Sequence, residues 1–350
     1  MRIIAIANQK GGCGKTTTAI NLSAALAHLK KNILLIDLDP QAHATLGLNI
    51  KPEDLTRTMY DVLTPLPEEK IRLDEIIIPI SDNFDLAPSN ILLSAIEQEL
   101  SGKPEREAKL FQAISLMVTR KTYDYIIIDC SPSLGLLTFN GLRCAQEVIA
   151  PVETGFFSLH GVSRLTETVN LINRHLPNKI KVKALITMFD RRTKFAREIK
   201  EQIDKFFSGQ VFNAIIHNNV RLKEASSYGL PVITYDKRCR GCEDYSNLAK
   251  EVAGDISQMQ PVRVEEDVRF LYHNPLATSV GVAGDFNNWI ATQESELENT
   301  EKGVWAKVCR LKPGRYRYKF IVDGRWITDP NNPNIQTDEF GNINSLLEIK

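Results

Sequence analysis

The chain has 350 residues, of which 43% are hydrophobic and 25% are charged, so its composition is that of a folded globular protein. Its 43 basic and 43 acidic residues leave a formal net charge of zero, which excludes a strong overall attraction to nucleic acid or to anionic membranes. No apolar run approaches the roughly 18 residues of a membrane-spanning helix. We therefore expect a cytoplasmic protein without a membrane partner, and its length predicts two domains.

The amino end predicts neither a signal peptide nor a disulfide framework. Arg2 leads directly into an apolar segment, and no small-residue cleavage site follows. The six cysteines are scattered along the chain, which is typical of reduced thiols in a cytoplasm.

The stretch from Arg2 to Thr18 reads R-I-I-A-I-A-N-Q-K-G-G-C-G-K-T-T-T. Its apolar beginning predicts a buried parallel strand, and a helix opens at Lys15. The intervening glycines let backbone N–H groups approach an anion, and the helix start adds free N–H groups and a positive dipole end. The pattern therefore predicts a phosphate-binding loop in which Lys15 reaches the β- and γ-phosphates and the Thr16 hydroxyl ligates Mg²⁺.

The run K-G-G-C-G-K-T-T departs from the usual G-x-x-x-x-G-K-[ST] pattern and resembles the deviant Walker A box of the ParA/MinD ATPases. The resemblance implies that Lys10 crosses a dimer interface to the partner's nucleotide, with ATP and Mg²⁺ as cofactors and slow hydrolysis. The residues that it assigns to the phosphates are Lys10, Gly11, Gly12, Cys13, Gly14, Lys15, Thr16 and Thr17.

Carboxylates end two further apolar runs, L-L-I-D-L-D-P-Q and Y-I-I-I-D. Acids at the carboxyl ends of parallel strands lie beside a phosphate site at the sheet's switch point. By the same resemblance, Asp129 holds Mg²⁺ through water, Asp37 supports the magnesium shell and Asp39 orients the attacking water. The alternative is that Asp37 and Asp39 cap the following turn. Ser131 stands where the family has a second proline, so we expect a different switch loop there.

Strands and helices alternate along the rest of the first 258 residues. Strands are expected at 84–89, 147–152, 182–188 and 211–216, and helices at 19–29, 91–100, 105–121, 158–175, 194–207 and 243–258. The alternation predicts an α/β P-loop NTPase domain over residues 1–258, with a mostly parallel sheet and helices on both faces. The segment V-R-L-K-E-A-S after Asn219 and the pair Tyr235-Asp236 also resemble ParA proteins.

Between Lys179 and Lys205, nine basic residues stand against four acidic ones. The resemblance implies that such a surface binds DNA without sequence specificity in the ATP-bound dimer, with nucleoid association and a ParB-like stimulating protein. His217-Asn218 replaces the family's usual proline-arginine, and a solvated helix face is the alternative explanation of the charges. The candidate DNA contacts are Arg191, Arg192, Lys194 and Arg221.

Cys239 and Cys242 form a lone C-x-x-C. Metal ligation needs four ligands or two such pairs across a dimer, as in the iron–sulfur carriers of this superfamily. The alternative is that both cysteines replace the serine and alanine of ParA proteins with little change of shape. Cys13 precedes a helix, which predicts a lowered thiol pKa and suggests a redox switch.

From residue 259 helical periodicity stops, and short alternating strands are expected at 268–272, 279–283, 304–311, 315–322 and 346–349. This spacing predicts a small β-sandwich over residues 266–350, after a linker at 259–265. The motifs V-A-G-D-F-N-N-W, G-V-W, P-G-R-Y-R-Y-K-F-I-V-D-G-R-W and D-P resemble the glycogen-binding module of the AMP-activated protein kinase β subunit and of isoamylases. The resemblance implies an all-β, immunoglobulin-like early-set sandwich.

Aromatic rings stack on the apolar faces of glucose units, while amides and cations bind the hydroxyls. The module's platform tryptophans correspond to Trp289 and Trp326, whereas Trp305 is expected in the core. The other residues that the resemblance assigns to glucan are Lys319, Asn344, and Phe340 and Asn342 in place of the module's leucine and threonine. Many early-set domains keep the fold and bind nothing, which is the alternative.

Together these patterns predict a ParA-type ATPase that forms ATP-dependent dimers and partitions or positions a cargo, fused to an α-glucan-binding module. The cargo inferred from the fusion is glycogen or a glucan-associated enzyme. Three alternatives are a nucleotide-sensing regulator whose sandwich binds a protein, a chromosome or plasmid partitioning ATPase with a non-binding sandwich, and an iron–sulfur carrier.

Overall fold

The computed structural model describes residues 1–64, 71–155, 158–175, 179–254, 266–287, 289–290, 295–301, 303–311, 314–337 and 341–349. The chain divides into two compact units, Met1–Val262 and Arg263–Lys350. The expected linker at 259–265 and the end of the expected helix at 243–258 lie outside the described residues, so the exact domain boundary stays a prediction.

A seven-stranded sheet forms the centre of the first unit, in the order β3-β4-β2-β5-β1-β6-β7. Only β3 is antiparallel to its neighbour among these paired strands, so the expected mostly parallel sheet is confirmed. The strands are β1 Arg2–Ile6, β2 Ile33–Leu38, β3 Ile78–Ser81, β4 Phe84–Ala87, β5 Tyr125–Cys130, β6 Glu147–Glu153 and β7 Lys181–Thr187.

Helices cover both faces of this sheet because successive residues of its buried strands point to opposite sides. Ile3 packs into one hydrophobic cluster with helices α5, α6 and α7, while Ile4 packs into a second cluster with α1 and α11. The helices are α1 Lys15–His28, α2 His43–Leu46, α3 Met59–Leu63, α4 Ile96–Glu99, α5 Lys109–Met117, α6 Leu136–Cys144, α7 Ser158–His175, α8 Lys194–Phe206, α9 Val220–Ser227, α10 Val232–Tyr235 and α11 Arg240–Gly254.

The strand expected at 211–216 is not a regular strand. Single bridges join Val211 to Ala184 and His217 to Phe189 beside β7. Between them, the backbone N–H groups of Asn213 and Ala214 donate to the Glu251 carboxylate at 3.0 Å each instead of to the sheet. A side chain of α11 has therefore replaced the strand neighbour as hydrogen-bond acceptor.

Two expected helices are shorter than their patterns suggest. The segment at 91–100 is a 3₁₀ turn, Ile91–Ala95, followed by the single turn α4, and the segment at 105–121 is regular α-helix only over α5. Among the described helices, none combines the length and the apolar character that a membrane-spanning helix requires.

The second unit is all-β, as expected, with antiparallel pairing throughout its described strands. One sheet has the order β10-β11-β8, and the other joins β13, β12, β15 and β14, with β9 also pairing β12. Its core contains Phe270, Tyr272, Phe320 and the buried Trp305. The strands are β8 Glu266–His273, β9 Val280–Gly284, β10 Glu298–Glu301, β11 Val304–Leu311, β12 Gly314–Val322, β13 Arg325–Ile327, β14 Ile335–Thr337 and β15 Ile343–Ile349.

Candidate functional site

The loop between β1 and α1 has a backbone that requires glycine at two positions. Gly12 has φ 73° and Gly14 has φ 90°, both in the left-handed region that side chains disfavour. Gly14 immediately precedes α1, so the first N–H groups of that helix open toward the loop. The loop and the helix start together form an anion-binding site.

An open cavity of about 890 Å³ lies over this loop. Asp39 and Ser131, from the ends of β2 and β5, border it together with the loop. The structure thus brings Asp39 and most of the expected loop residues around one cavity because parallel strands end at the same edge of the sheet. The expected residues that do not line it are Lys10, Cys13, Asp37 and Asp129. The loop residues that line it are Gly11, Gly12, Gly14, Lys15, Thr16 and Thr17.

Both loop lysines have partners within this single chain. The Lys15 ammonium is only 7% exposed and donates to the Lys10 carbonyl at 2.9 Å. The Lys10 ammonium forms an ion pair with Glu153, which ends β6. Glu153 was not anticipated from the sequence. It lies at the carboxyl end of a parallel strand beside β1, which is the same kind of position that identified Asp37, Asp39 and Asp129.

Asp37 and Asp129 are fully buried and lie opposite each other in the register of β2 and β5. Asp37 accepts from the Thr45 backbone N–H at 2.9 Å and the Thr45 hydroxyl at 2.7 Å, and also from the Asp39 backbone N–H at 3.1 Å. Burial raises the pKa of Asp37 to about 6, although these hydrogen bonds act to lower it.

Asp129 differs from Asp37 because neither of its oxygens has a hydrogen-bond partner among the described residues. Burial first, and then the Asp37 carboxyl, raise the pKa of Asp129 well above its usual range, while the nearby Thr16 hydroxyl and Lys15 lower it. An unpaired buried carboxylate is costly unless a cation or a water held by one satisfies it. The donor set of Asp129 and the Thr16 hydroxyl consists of hard oxygens, which fits Mg²⁺.

Asp39 lies at the cavity wall, and its Oδ1 accepts from the Gln41 backbone N–H at 2.9 Å. Thr45 likewise donates two hydrogen bonds to Asp37. These contacts agree with the alternative stated above, in which Asp37 and Asp39 cap the turn that follows β2. Capping uses only one carboxylate oxygen of Asp39. Its other oxygen is left for the expected role of orienting the attacking water, so the two roles are compatible.

The expected lowering of the Cys13 pKa is wrong. The Cys13 side chain is fully buried, its thiol donates to the Lys10 carbonyl at 3.2 Å, and burial raises its pKa. Desolvation of the thiolate outweighs the helix start and the nearby Lys15. A redox switch at Cys13 is therefore disfavoured.

The candidate DNA contacts are mostly engaged with acids of the same chain. Arg191 is exposed. The Arg192 guanidinium donates two hydrogen bonds to the Asp190 carboxylate, at 2.9 and 2.7 Å. This contact lowers the pKa of Asp190 to about 2. The other pairs are Lys194 with Glu198 at 3.5 Å and Arg221 with Glu224 at 2.7 Å and with Asp236 at 3.5 Å.

In the second unit, the two expected platform tryptophans lie together. The ring centroids of Trp289 and Trp326 are 6.1 Å apart with 37° between the ring planes. Trp326 is 47% exposed and pairs with Ile321 of β12. Lys319 lies two residues before Ile321, so it points to the same face of the sheet.

The remaining expected glucan residues are placed less favourably. Asn344 is only 3% exposed, and its amide donates to the Asn342 carbonyl at 3.4 Å. Asn342 itself is exposed. Phe340 lies outside the described residues.

Asp285, which the sequence did not single out, contacts one of the two expected platform tryptophans. Its Oδ1 accepts from the Trp289 indole N–H at 3.0 Å, and its Oδ2 accepts from the Arg317 backbone N–H at 2.8 Å and Nε at 3.1 Å. Burial acts to raise the pKa of Asp285, but the bonds from Arg317 and Trp289 outweigh it and hold the pKa below its usual value. The signal was the aspartate four residues before the tryptophan in G-D-F-N-N-W.

Each of the two units matches a family of known proteins. The family model described as an AAA domain matches residues 1–182, and the model described as the glycogen recognition site of AMP-activated protein kinase matches residues 267–350. The chain is 44% identical over 255 residues to the sporulation initiation inhibitor protein Soj of Bacillus subtilis, covering 73% of this chain and 99% of Soj. It is 43% identical over 264 residues to the chromosome partitioning protein ParA of Myxococcus xanthus, covering 75% and 91%.

Among solved structures, cobyrinic acid a,c-diamide synthase from Mycobacterium smegmatis, with bound ATP analogue and magnesium, aligns with a TM-score of 0.64. The two chains are 28% identical, and the alignment covers 74% of this chain and 96% of the synthase. These findings confirm the resemblance and the fold class and agree with the expected cofactors, ATP and Mg²⁺. The chain belongs to the ParA/Soj family of P-loop ATPases.

Proposed function

We propose that this chain uses ATP and Mg²⁺ to form dimers, hydrolyses ATP slowly, and thereby partitions or positions a cargo that carries an α-glucan. The name of the Myxococcus relative supports the partitioning role, and the ATP analogue and magnesium of the solved synthase support the cofactors. The match of residues 267–350 to a glycogen recognition site supports the glucan.

In the nucleotide site, the N–H groups of the glycine loop and the ammonium of Lys15 bind the phosphates. Thr16 and Asp129 hold the metal shell, and Asp37 supports this shell from the neighbouring strand. Mg²⁺, when bound, neutralises charge on the phosphate oxygens. Asp39 orients the attacking water, and Lys10 leaves Glu153 to reach the partner's nucleotide.

The observation that carries the glucan half is the pair of tryptophan rings at one exposed face of the sandwich. Two tilted rings with centroids 6.1 Å apart offer a curved apolar surface of the kind on which consecutive glucose units stack. Lys319 lies on the same face and supplies a donor for a hydroxyl. The carboxylate of Asp285 fixes the Trp289 ring before any ligand arrives.

A calorimetric titration of maltoheptaose against the full chain tests this half. We expect binding by the wild type, at least about tenfold weaker binding by Trp326→Ala, and no change in Val308→Ala. Val308 is a matched control because it is exposed on the other sheet of the sandwich. No binding by the wild type would overturn the glucan proposal and leave the ATPase proposal intact.

A second candidate is a partitioning ATPase whose sandwich binds a protein instead. The burial of Asn344 favours it, because an amide that is 3% exposed cannot reach a sugar hydroxyl without rearrangement. In both candidates, the ATP-bound dimer associates with nucleoid DNA and a ParB-like protein stimulates hydrolysis.

A further inference from the structure

Cys239 and Cys242 belong to neither the nucleotide site nor the glucan platform. Cys239 immediately precedes α11, and Cys242 lies in the first turn of that helix. The Cys242 backbone N–H lies 3.1 Å from the Cys239 carbonyl oxygen and 3.4 Å from the Cys239 sulfur. Such a turn brings the first and fourth Cα atoms within about 7 Å, and disulfides span about 4.4–6.8 Å. The turn is therefore compatible with a disulfide between the two cysteines.

The two sulfurs differ in environment. Cys239 is half-buried at the edge of the hydrophobic cluster beneath α11, whereas Cys242 is 6% exposed and lies inside that cluster. A thiolate at Cys239 would accept the Cys242 N–H and face the positive end of a 15-residue helix. Lys237 and Arg238, which precede Cys239 in the chain, are exposed. The acids nearby are paired with other cations: Asp236 with Arg221, and Glu243 and Asp244 with Arg240.

A metal site explains the pair less well. Among the residues that the structure describes, no group of three or more His, Cys, Asp or Glu side chains could hold a metal ion. Within one chain, two thiols without further ligands do not satisfy zinc or an iron–sulfur cluster.

We propose that Cys239 and Cys242 form a thiol–disulfide exchange site that reacts with external disulfides of the glutathione type. The Cys239 thiolate attacks one sulfur of the external disulfide, which forms a mixed disulfide and releases the first small thiol. Cys242 then attacks the Cys239 sulfur, closes the intramolecular bond and releases the second small thiol. The external disulfide gains two electrons, the cysteine pair loses two, and the two protons leave on the small thiols.

The first turn of α11 is in contact with α9. Gly241 lies between the two cysteines, and a Cβ atom there would approach the Leu222 side chain to 2.8 Å, so the turn is packed directly on α9. Leu222 is the neighbour of Arg221, a candidate DNA contact. The exchange itself needs neither ATP nor glucan, so its test is independent of the proposed function.

The reduced full-length chain is incubated with glutathione disulfide, quenched with N-ethylmaleimide and mapped by peptide mass spectrometry. We expect wild type to lose two of its six alkylatable thiols and to yield a linked Cys239–Cys242 peptide. Cys242→Ser should stop at a glutathione adduct on Cys239, and Cys309→Ser, a matched control in the other unit, should behave as wild type.

The order of attack is tested separately by site-resolved alkylation rates in wild type, which need no variant. We expect Cys239 to react at least about tenfold faster than Cys13, Cys242 and Cys309. Six alkylated thiols after the incubation, or a Cys239 rate equal to that of the buried cysteines, would overturn the proposal. Circular dichroism shows whether each serine variant is folded.

Discussion

The ammonium group of Lys10 is paired with the carboxylate of Glu153 at the end of β6 in the same chain. Both side chains are 27% exposed, so the pair is accessible yet partly shielded from water. If Lys10 serves the partner's nucleotide, this contact must be given up when the dimer forms. In that case, Glu153 competes with dimerisation.

Glu153→Gln should strengthen the ATP-dependent dimer. A partly exposed ion pair contributes about 0.5–1 kcal/mol, and its loss in both protomers lowers the dimer dissociation constant about tenfold. Light scattering with ATP over a concentration series measures this, in an Asp39→Ala background that traps the ATP state. Glu75→Gln, which removes an acid paired with Arg57 and Arg72, is the matched control. A weaker dimer would mean that Glu153 supports the interface instead.

The two buried aspartates of neighbouring strands should respond oppositely to the same substitution. Asp129→Asn removes a buried carboxyl group whose charged form has no hydrogen-bond partner, and it should raise the free energy of unfolding of the nucleotide-free chain by about 1–3 kcal/mol while abolishing hydrolysis. Asp37→Asn places an amide donor group against the Thr45 N–H and hydroxyl, which are donors themselves. This variant should therefore lower the free energy of unfolding by about 1–3 kcal/mol. Urea unfolding and an ATPase assay measure both effects. Destabilisation by both variants would show that Asp129 has a protein partner.

Local patterns were sufficient for the strands and the loop around the nucleotide site. The apolar runs of β1, β2 and β5 have the buried β-branched character of parallel strands, and the glycines of the loop permit the positive φ angles of its backbone. The acids at the strand ends follow from topology alone. These features depend on residues within a few positions of one another.

The failures share a dependence on distant residues. In the irregular edge segment at 211–216, the N–H groups of Asn213 and Ala214 donate to Glu251 on α11, whereas those of Phe212 and Ile216 donate to β7. The Cys13 pKa is raised because tertiary packing removes the thiol from water, which no loop motif encodes. The contacts of Asp285 with Arg317 cross from the turn after β9 to β12 and are equally invisible in a local pattern.

Asp285→Ala should weaken α-glucan binding about tenfold by releasing the Trp289 ring from its anchor, since a freely rotating ring pays an ordering cost on binding. The fold should survive because the core residues of the sandwich are untouched. Calorimetry with maltoheptaose measures the change, and Asp267→Ala, which breaks an exposed pair with Arg310 on the other sheet, is the control. Equal binding by the Asp285 variant and wild type would refute the anchoring role.

The same anchor predicts the pH dependence of glucan binding. The folded pKa of Asp285 lies below its usual value, so the carboxylate contribution is complete above about pH 4 and is lost as the pH falls through the lowered pKa. Affinity should therefore stay constant from pH 7 to pH 5 and decline only in stronger acid. Titrations at a series of pH values measure it, with Asp285→Ala as the reference. A decline centred near pH 6 would implicate a different group.

DNA binding should depend differently on two adjacent arginines. Arg191 is exposed, whereas Arg192 is held by Asp190 through two hydrogen bonds. Each phosphate contact contributes about one to the slope of log affinity against log salt. Arg191→Ala should reduce that slope by about one per protomer, or about two in the ATP-bound dimer, and Asp190→Ala should increase it by freeing Arg192 and removing a negative charge. Fluorescence anisotropy with a short duplex at several salt concentrations measures the slopes, and Arg310→Ala is the control. A slope that none of these variants changes would place the DNA contacts elsewhere on the chain.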